Sequence, residues 1–457
     1  MSSLFRKVDK TNVPVKQSKY EKYGFTRNPF PPKPGVMIDS PDTRENGSIY
    51  LAELRKNEEA KFEQLMVPHP ERAQVKPITF LMDYATRRGR GIGKTAFLQQ
   101  QCRRINKDHG AELSGDSQVL FAIYLLPSPG GRNSKFWQFI KLIIQSIVKQ
   151  DVLAQAMWRM RAFSDCIPVD VLTDIGDHPE NTIGNDAWLK NKGVDVNWDL
   201  RSYLKAKLDV LGFSEEQREE IIFFGHNPTE FEEKALKNKT DFFWKKEVGI
   251  QYFDALVSLL REAGFTKSLI FVDEVEKIVT PQNTQERRSF VESLRYYFID
   301  GQSESSKYSF FNILLTIHPY VQELLNPHWE TAGLDRFASL SGDQSELYTI
   351  YFDPLKEEFA IPLALEYLNA SRIEPDKIGS LNPFTEESIE EALFLSGRVP
   401  GIFLTILSNS VELAIQDELD EIDKQHISKV AKSRAPVEPK EKDDIESLSP
   451  PKVNLMD

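Results

Sequence analysis

Short apolar runs separated by polar turns set the pattern of this chain. Ile78-Thr79-Phe80-Leu81-Met82 within 78–85, Val119 to Leu126, 268–273, Phe310 to Ile317 and Leu347 to Phe352 are predicted strands, and Leu269-Ile270-Phe271-Val272 among them is apolar on both faces, as a central parallel strand should be. Helical periodicity fills the intervals. It covers 50–65, with Leu51, Leu54, Phe62 and Leu65 on one face, then Lys94 to Lys107. A long helix is predicted over 134–162, carrying Phe136, Trp137, Ile140, Ile143 and Ile144, and another over 284–299. Strand, glycine turn, helix, strand predicts the opening of a doubly wound α/β sheet, with helices flanking parallel strands.

Two stretches depart from that alternation. Residues 163–248 show no convincing strand and many turn formers, with Trp188 and Trp198 among acids. Connections in α/β folds are short, so this segment is predicted to be a helical insertion, a kind of element that often carries partner contacts. After Asp353-Pro354 the pattern is helical only, over 355–372, 385–396, 399–416 and 423–432, which predicts a small all-helical domain. From Arg434 onward Pro, Glu, Lys, Asp and Ser alternate, a composition that predicts disorder. The boundaries that follow are 1–74 for a basic N-terminal part and its aromatic segment, 75–352 for the α/β core with its insertion, 353–433 for the helical domain and 434–457 for a tail.

Composition narrows the classes. With 457 residues, 40% hydrophobic and 28% charged, the chain can build more than one ordinary globular domain. The most apolar run, Phe139 to Ile144, is interrupted by Lys141, so no membrane span is expected; the first residues carry no hydrophobic signal core. Cys102 and Cys166 fit no metal-ligand spacing and read as free thiols in a reducing cytoplasm. The net charge of −12 excludes a surface that grips nucleic acid everywhere. Charge is uneven, however. Residues 1–33 hold eight Lys/Arg against two Asp/Glu, and residues 164–200 hold eight Asp/Glu against two Lys. A solvated surface is the plain reading of both. The other reading makes the basic start, with Arg87, Arg88 and Arg90, a local patch for DNA phosphates.

The chemistry sits in two segments. In Arg88-Gly89-Arg90-Gly91-Ile92-Gly93-Lys94-Thr95-Ala96, Gly89, Gly91 and Gly93 let backbone N–H groups of the turn, those of Ile92 and Ala96 included, face phosphate oxygens. The helix that begins near Lys94 adds its positive end. Lys94 is spaced to meet β- and γ-phosphates, and the Thr95 hydroxyl to ligate magnesium. One departure stands out: the full pattern places a glycine at position 88, where this chain has Arg88. The second segment, Leu269-Ile270-Phe271-Val272-Asp273-Glu274, is a central-type strand ending in two carboxylates. Carboxylates at that edge sit where α/β folds bind ligands. Asp273 is the candidate magnesium ligand, and Glu274 the candidate base for a water.

Gly-Lys-Thr followed by an apolar Asp-Glu strand resembles the AAA+ ATPases and their STAND relatives. Tyr23-Gly24-Phe25-Thr26-Arg27-Asn28-Pro29-Phe30 is similar to a segment of the initiator-type, secretion-associated and transposon-regulator subset. The resemblance implies a P-loop NTPase sheet with a helical lid, ATP and Mg2+ as cofactors, and an oligomer formed in the ATP-bound state. It also implies roles for further residues. Tyr23, Phe25, Asn28, Pro29 and Phe30 would wall the adenine, or form a hydrophobic latch. Thr316 would be the polar residue that holds water or γ-phosphate, with His318 the alternative. Arg336 would reach the γ-phosphate of an adjacent subunit, or form a surface salt bridge. Arg398 would contact phosphate from the lid.

The reading is therefore a magnesium-dependent ATPase acting as an oligomerising switch in a DNA-associated system: transposition control, replication loading or defence against mobile elements. The alternative is a nucleotide-binding scaffold with little turnover that recruits proteins through its insertion and tail. No Ser-His-Asp arrangement, zinc spacing or dinucleotide fingerprint competes, and no guanine-reading motif follows the Asp-Glu strand.

Overall fold

Apolar runs without alternation must be covered on both faces, and a parallel sheet between helices does this. The computed structural model describes residues 18–33, 35–37, 40–72, 74–83 and 91–433. In it β1 (Ile78–Asp83), β2 (Leu120–Leu125), β3 (Lys267–Val272), β4 (Phe311–Ile317) and β5 (Thr349–Phe352) form one sheet in the order β2-β3-β4-β1-β5. Every adjacent pair is parallel. The sheet is flanked by helices, and only helices and turns follow β5 among the described residues. None of those helices is long and apolar enough to cross a membrane.

The chain divides into two compact units. One comprises Met1–Leu54, Ala85–Ala96 and Asp353–Asp457; the other comprises Arg55–Tyr84 and Phe97–Phe352. The second unit contains the sheet. Side chains alternate across it, so Phe121, Ile123, Ile270, Val272, Ile313 and Leu315 face one core, shared with the helices Phe136–Lys149 and Glu247–Glu262. On the opposite face Phe271 meets Phe62, and Phe62 meets Phe97, in edge-on contacts. That parity also places Tyr124, Asp273 and Thr316 on the Phe271 face.

Residues 163–248 are helices and turns throughout, and Leu189, Leu204, Leu208, Ile221, Phe231 and Trp244 join the same core as the sheet. Arg161, almost fully buried, ties this region to its neighbours through Asp186 (2.9 Å) and the Ile183 carbonyl (3.1 Å).

The long helix expected over 134–162 is in fact two, Phe136–Lys149 and Val152–Ala162. Asp151 between them has φ +62°, a left-handed conformation that stops a right-handed helix. The break serves the sheet. Gln150 Nε2 donates to the Tyr124 carbonyl and its Oε1 accepts from the Tyr124 N–H, both at 3.0 Å. Asn106, in the helix Lys94–Lys107, does the same for Ala122 at 2.9 and 2.8 Å. β2 is an edge strand, and the two amide side chains satisfy its outward backbone groups.

The first unit packs the helices Ala360–Asn369, Glu386–Leu395, Pro400–Gln416 and Lys424–Ser433 around a core that includes Tyr23, Phe25 and Phe30. Phe30 stacks on Tyr367 (6.1 Å) and meets Phe384 edge-on (5.7 Å), while Arg372 lies 4.3 Å over Phe25. Asn28 Nδ2 donates to the Ser408 carbonyl and to Glu412, and its Oδ1 accepts from the Phe30 N–H. Burying a phenylalanine contributes about 1.5–3 kcal/mol, so this segment is a latch on the helices, with both rings fully covered.

Candidate functional site

In the first unit the described part of the glycine segment, 91–96, has the conformation its composition predicts. Gly91 and Gly93 have φ of 86° and 102°, open to glycine and strained for other residues. Lys94, Thr95 and Ala96 form the first turn of the helix Lys94–Lys107, and Ile92 is buried. The Gly91 carbonyl accepts a hydrogen bond from the Gly401 N–H at 2.8 Å, so the segment is tied to the first turn of the helix Pro400–Gln416. Gly47, on the loop after the aromatic segment, passes the same turn: a Cβ there would lie 3.6 Å from the Ala96 Cα. Gly89, with Arg87, Arg88 and Arg90, lies outside the described residues, as does the tail 434–457.

Arg398 sits at the turn into that helix with φ +62°. Its carbonyl accepts from the Leu355 N–H at 2.8 Å, and its guanidinium pairs with Glu357 at 2.5 Å. The backbone at Arg398 is thereby fixed within the helical unit, and its side chain is engaged by a carboxylate.

In the second unit Asp273, Glu274 and Thr316 come together. The β3–β4 register pairs Val272 with Leu315, which sets Asp273 beside Thr316 one step on. Asp273 is 3% exposed and Thr316 3%. Thr316 Oγ1 donates to Asp273 Oδ1 at 3.0 Å, and the Glu274 N–H reaches both Asp273 Oδ1 (2.9 Å) and Thr316 Oγ1 (2.8 Å). From β2, the Tyr124 hydroxyl donates to Asp273 Oδ2 at 2.8 Å. Hydrogen bonds to a charged acceptor contribute about 1.5–3 kcal/mol each, enough to fix the carboxylate plane. Glu274 has φ +49°, an uncommon conformation for a residue with a side chain, and its carboxylate pairs with Lys277.

His318 caps the helix Pro319–Thr331: its Nδ1 accepts from the Tyr320 N–H at 3.2 Å. Arg336 lies in the turn after that helix, is exposed, and makes no ion pair among the described residues.

No protein-family model matches this chain, and no curated protein does. Similar solved structures include Cdc6p from Pyrobaculum aerophilum, 14% identical over 87% of this chain and 68% of that one, with a TM-score of 0.37. The Aeropyrum pernix ORC1 protein in complex with DNA is 11% identical over 85% and 67%, with a TM-score of 0.41. The Aeropyrum pernix ORC2 protein, in ADPNP and ADP complexes, is 10% identical over 91% and 73%, with a TM-score of 0.40. Likeness at this level leaves the site to stand on its own geometry.

That geometry fits magnesium of one kind. Among the described residues, no cluster of three or more His, Cys, Asp or Glu could hold a metal without help. Magnesium does not need such a cage. It keeps waters and binds through one or two carboxylates with substrate phosphates. A single fixed carboxylate at a strand end suits that ion and would suit zinc, which takes three or four protein ligands, poorly.

Two residues escaped the sequence reading. Tyr124 looks like core in an apolar strand, and only the adjacency of β2 and β3 brings it to Asp273. Asp83 ends β1 almost fully buried, and a carboxylate closing an apolar run was the available signal.

Proposed function

We propose that this chain binds ATP with magnesium, hydrolyses it, and uses the cycle to switch between assembly states. The observation that carries the reading is the end of β3: a buried carboxylate held by hydrogen bonds from Tyr124, Thr316 and the Glu274 N–H, followed at once by Glu274 in a left-handed turn. Such an end, on an inner strand of a parallel sheet, is where α/β proteins place ligand chemistry. The strand-turn-helix order of β1, the glycine segment and Lys94–Lys107 supplies the phosphate-binding element.

In this reading the amides of the turn 89–96 and the Lys94 ammonium bind the phosphates. Thr95 and Asp273 hold magnesium, which when bound neutralises charge on the β- and γ-phosphates. Glu274 orients the water and takes its proton after leaving Lys277. Arg398 exchanges Glu357 for phosphate, and Arg336 serves the nucleotide of a neighbouring copy. The sequence resemblance supports work in a DNA-associated system, and in this reading the insertion 163–248 is the surface offered to a protein partner.

Glu274→Gln tests the assignment. The variant is expected to bind ATP as tightly as the parent while phosphate release falls by about 10²–10⁴. Turnover at the parental rate would remove Glu274 as the base. The Glu274–Lys277 pair favours a second reading, a nucleotide-bound scaffold with negligible turnover; parent protein that binds ATP and releases no phosphate would establish it.

A further inference from the structure

The Asp273 carboxylate is gripped from both neighbouring strands. Tyr124 of β2 donates its hydroxyl proton to Oδ2 at 2.8 Å, and Thr316 of β4 donates to Oδ1 at 3.0 Å. All three side chains are buried, Tyr124 being 7% exposed. The sheet order makes the grip possible, since β3 lies between β2 and β4.

Proton counting then assigns the Thr316 hydroxyl. A threonine has one proton to give. Here it goes to Asp273 Oδ1, while the oxygen accepts the Glu274 N–H at 2.8 Å. What remains is acceptor capacity. A γ-phosphate oxygen is itself an acceptor, so Thr316 in this arrangement has nothing to offer it.

We propose that Tyr124 and Thr316 are positioning residues, a pair of hydroxyl groups that hold the plane of the Asp273 carboxylate for magnesium without touching the nucleotide. This rests on the reading of Asp273 as the magnesium carboxylate. Thr316 also acts on its other neighbour. By accepting the Glu274 N–H it holds the left-handed turn that sets the direction of Glu274. A carboxylate already oriented loses less freedom when the ion arrives, and hydrogen bonds behind metal ligands commonly govern affinity for this reason.

The test is nucleotide binding, read by fluorescent ADP and non-hydrolysable ATP analogues on the full chain across a magnesium titration. Tyr124→Phe and Thr316→Val each remove a hydroxyl at nearly constant shape. Each is expected to raise the half-saturating magnesium concentration about tenfold, equally for the di- and triphosphate. Affinity in EDTA should stay at the parental value. Thr316→Ser, which keeps the hydroxyl, should restore the parental titration. An effect of Thr316→Val confined to the triphosphate would put the hydroxyl on the γ-phosphate and overturn the proposal. So would parental titrations in both hydroxyl variants when Asp273→Asn loses its magnesium dependence; the metal reading would then stand alone. If Asp273→Asn also titrates like the parent, both fall together.

Discussion

Asp254, on the helix Glu247–Glu262, carries a carboxyl group that burial pushes up to about 6. A backbone hydrogen bond from Glu304 pulls the other way, and the Glu304 charge pushes it up again. Its Oδ1 has no hydrogen-bond partner among the described residues. The surrounding groups are Glu304, itself near Arg261 at 3.8 Å, and Tyr297, whose pKa Asp254 helps to raise. In the unfolded chain an aspartate titrates near about 3.9. The folded protein therefore keeps this proton to higher pH, and the associated stability is present below about pH 4 and lost as pH rises through about 6. Asp254→Asn should remove the loss. Urea midpoints of parent and variant are expected to agree near pH 4 and to separate by pH 7. There the variant should be more stable by on the order of 1 kcal/mol, since solvent screens a partly exposed group. A parent that gains stability relative to the variant between pH 4 and pH 7 would contradict the burial argument.

At the scale of elements, β2 depends on side chains for what a further strand would have supplied. Asn106 and Gln150 each exchange two hydrogen bonds with its outer edge. Replacing either by alanine leaves a backbone donor and acceptor without those partners, at about 1–3 kcal/mol. Gln150→Ala should lower the denaturation midpoint accordingly and increase self-association, measured by light scattering, because an open edge is a template for pairing. A midpoint equal to that of the parent would show water replacing the amide at no cost. These elements also mark how far the sequence could be read. The five strands and the helix Lys94–Lys107 follow from apolar runs and period, and the structure has them within a few residues. The Asp273–Glu274 segment was legible because two acids closing a four-residue apolar run are distinctive. Tyr124 was not, since alternation gives the face of a strand and says nothing of its neighbour. The break at Asp151 was hidden because the apolar period runs on past it. Phe25 and Phe30 could have lined a base or filled a core with the same composition; only their complete burial decides for the core.

For the molecule as a whole, the proposed assembly makes a testable demand on Arg336. Its turn is built around another arginine. Arg295 Nη1 donates to the Ala332 carbonyl at 2.5 Å, and its Nε meets Asp300 at 3.0 Å. Gly333, with φ +69°, leaves the room: a Cβ there would come within 2.7 Å of Arg295 Nη1. The turn is thus held from behind while Arg336 stays exposed and makes no ion pair among the described residues. A guanidinium presented in this way can serve a nucleotide held by a second copy, where such a group is worth about 10³–10⁵ in rate. Arg336→Ala is expected to bind ATP like the parent and to lose turnover by that order. Mixing decides whether the arginine acts between copies. Glu274→Gln lacks the base but keeps Arg336; Arg336→Ala keeps the base. Together they should form interfaces in which one copy supplies the site and the other the guanidinium, so the mixture should recover part of the phosphate release that neither variant shows alone. Activity of the mixture that stays at the sum of the two would place Arg336 in service of its own chain, and parental turnover by Arg336→Ala would remove it from the chemistry altogether.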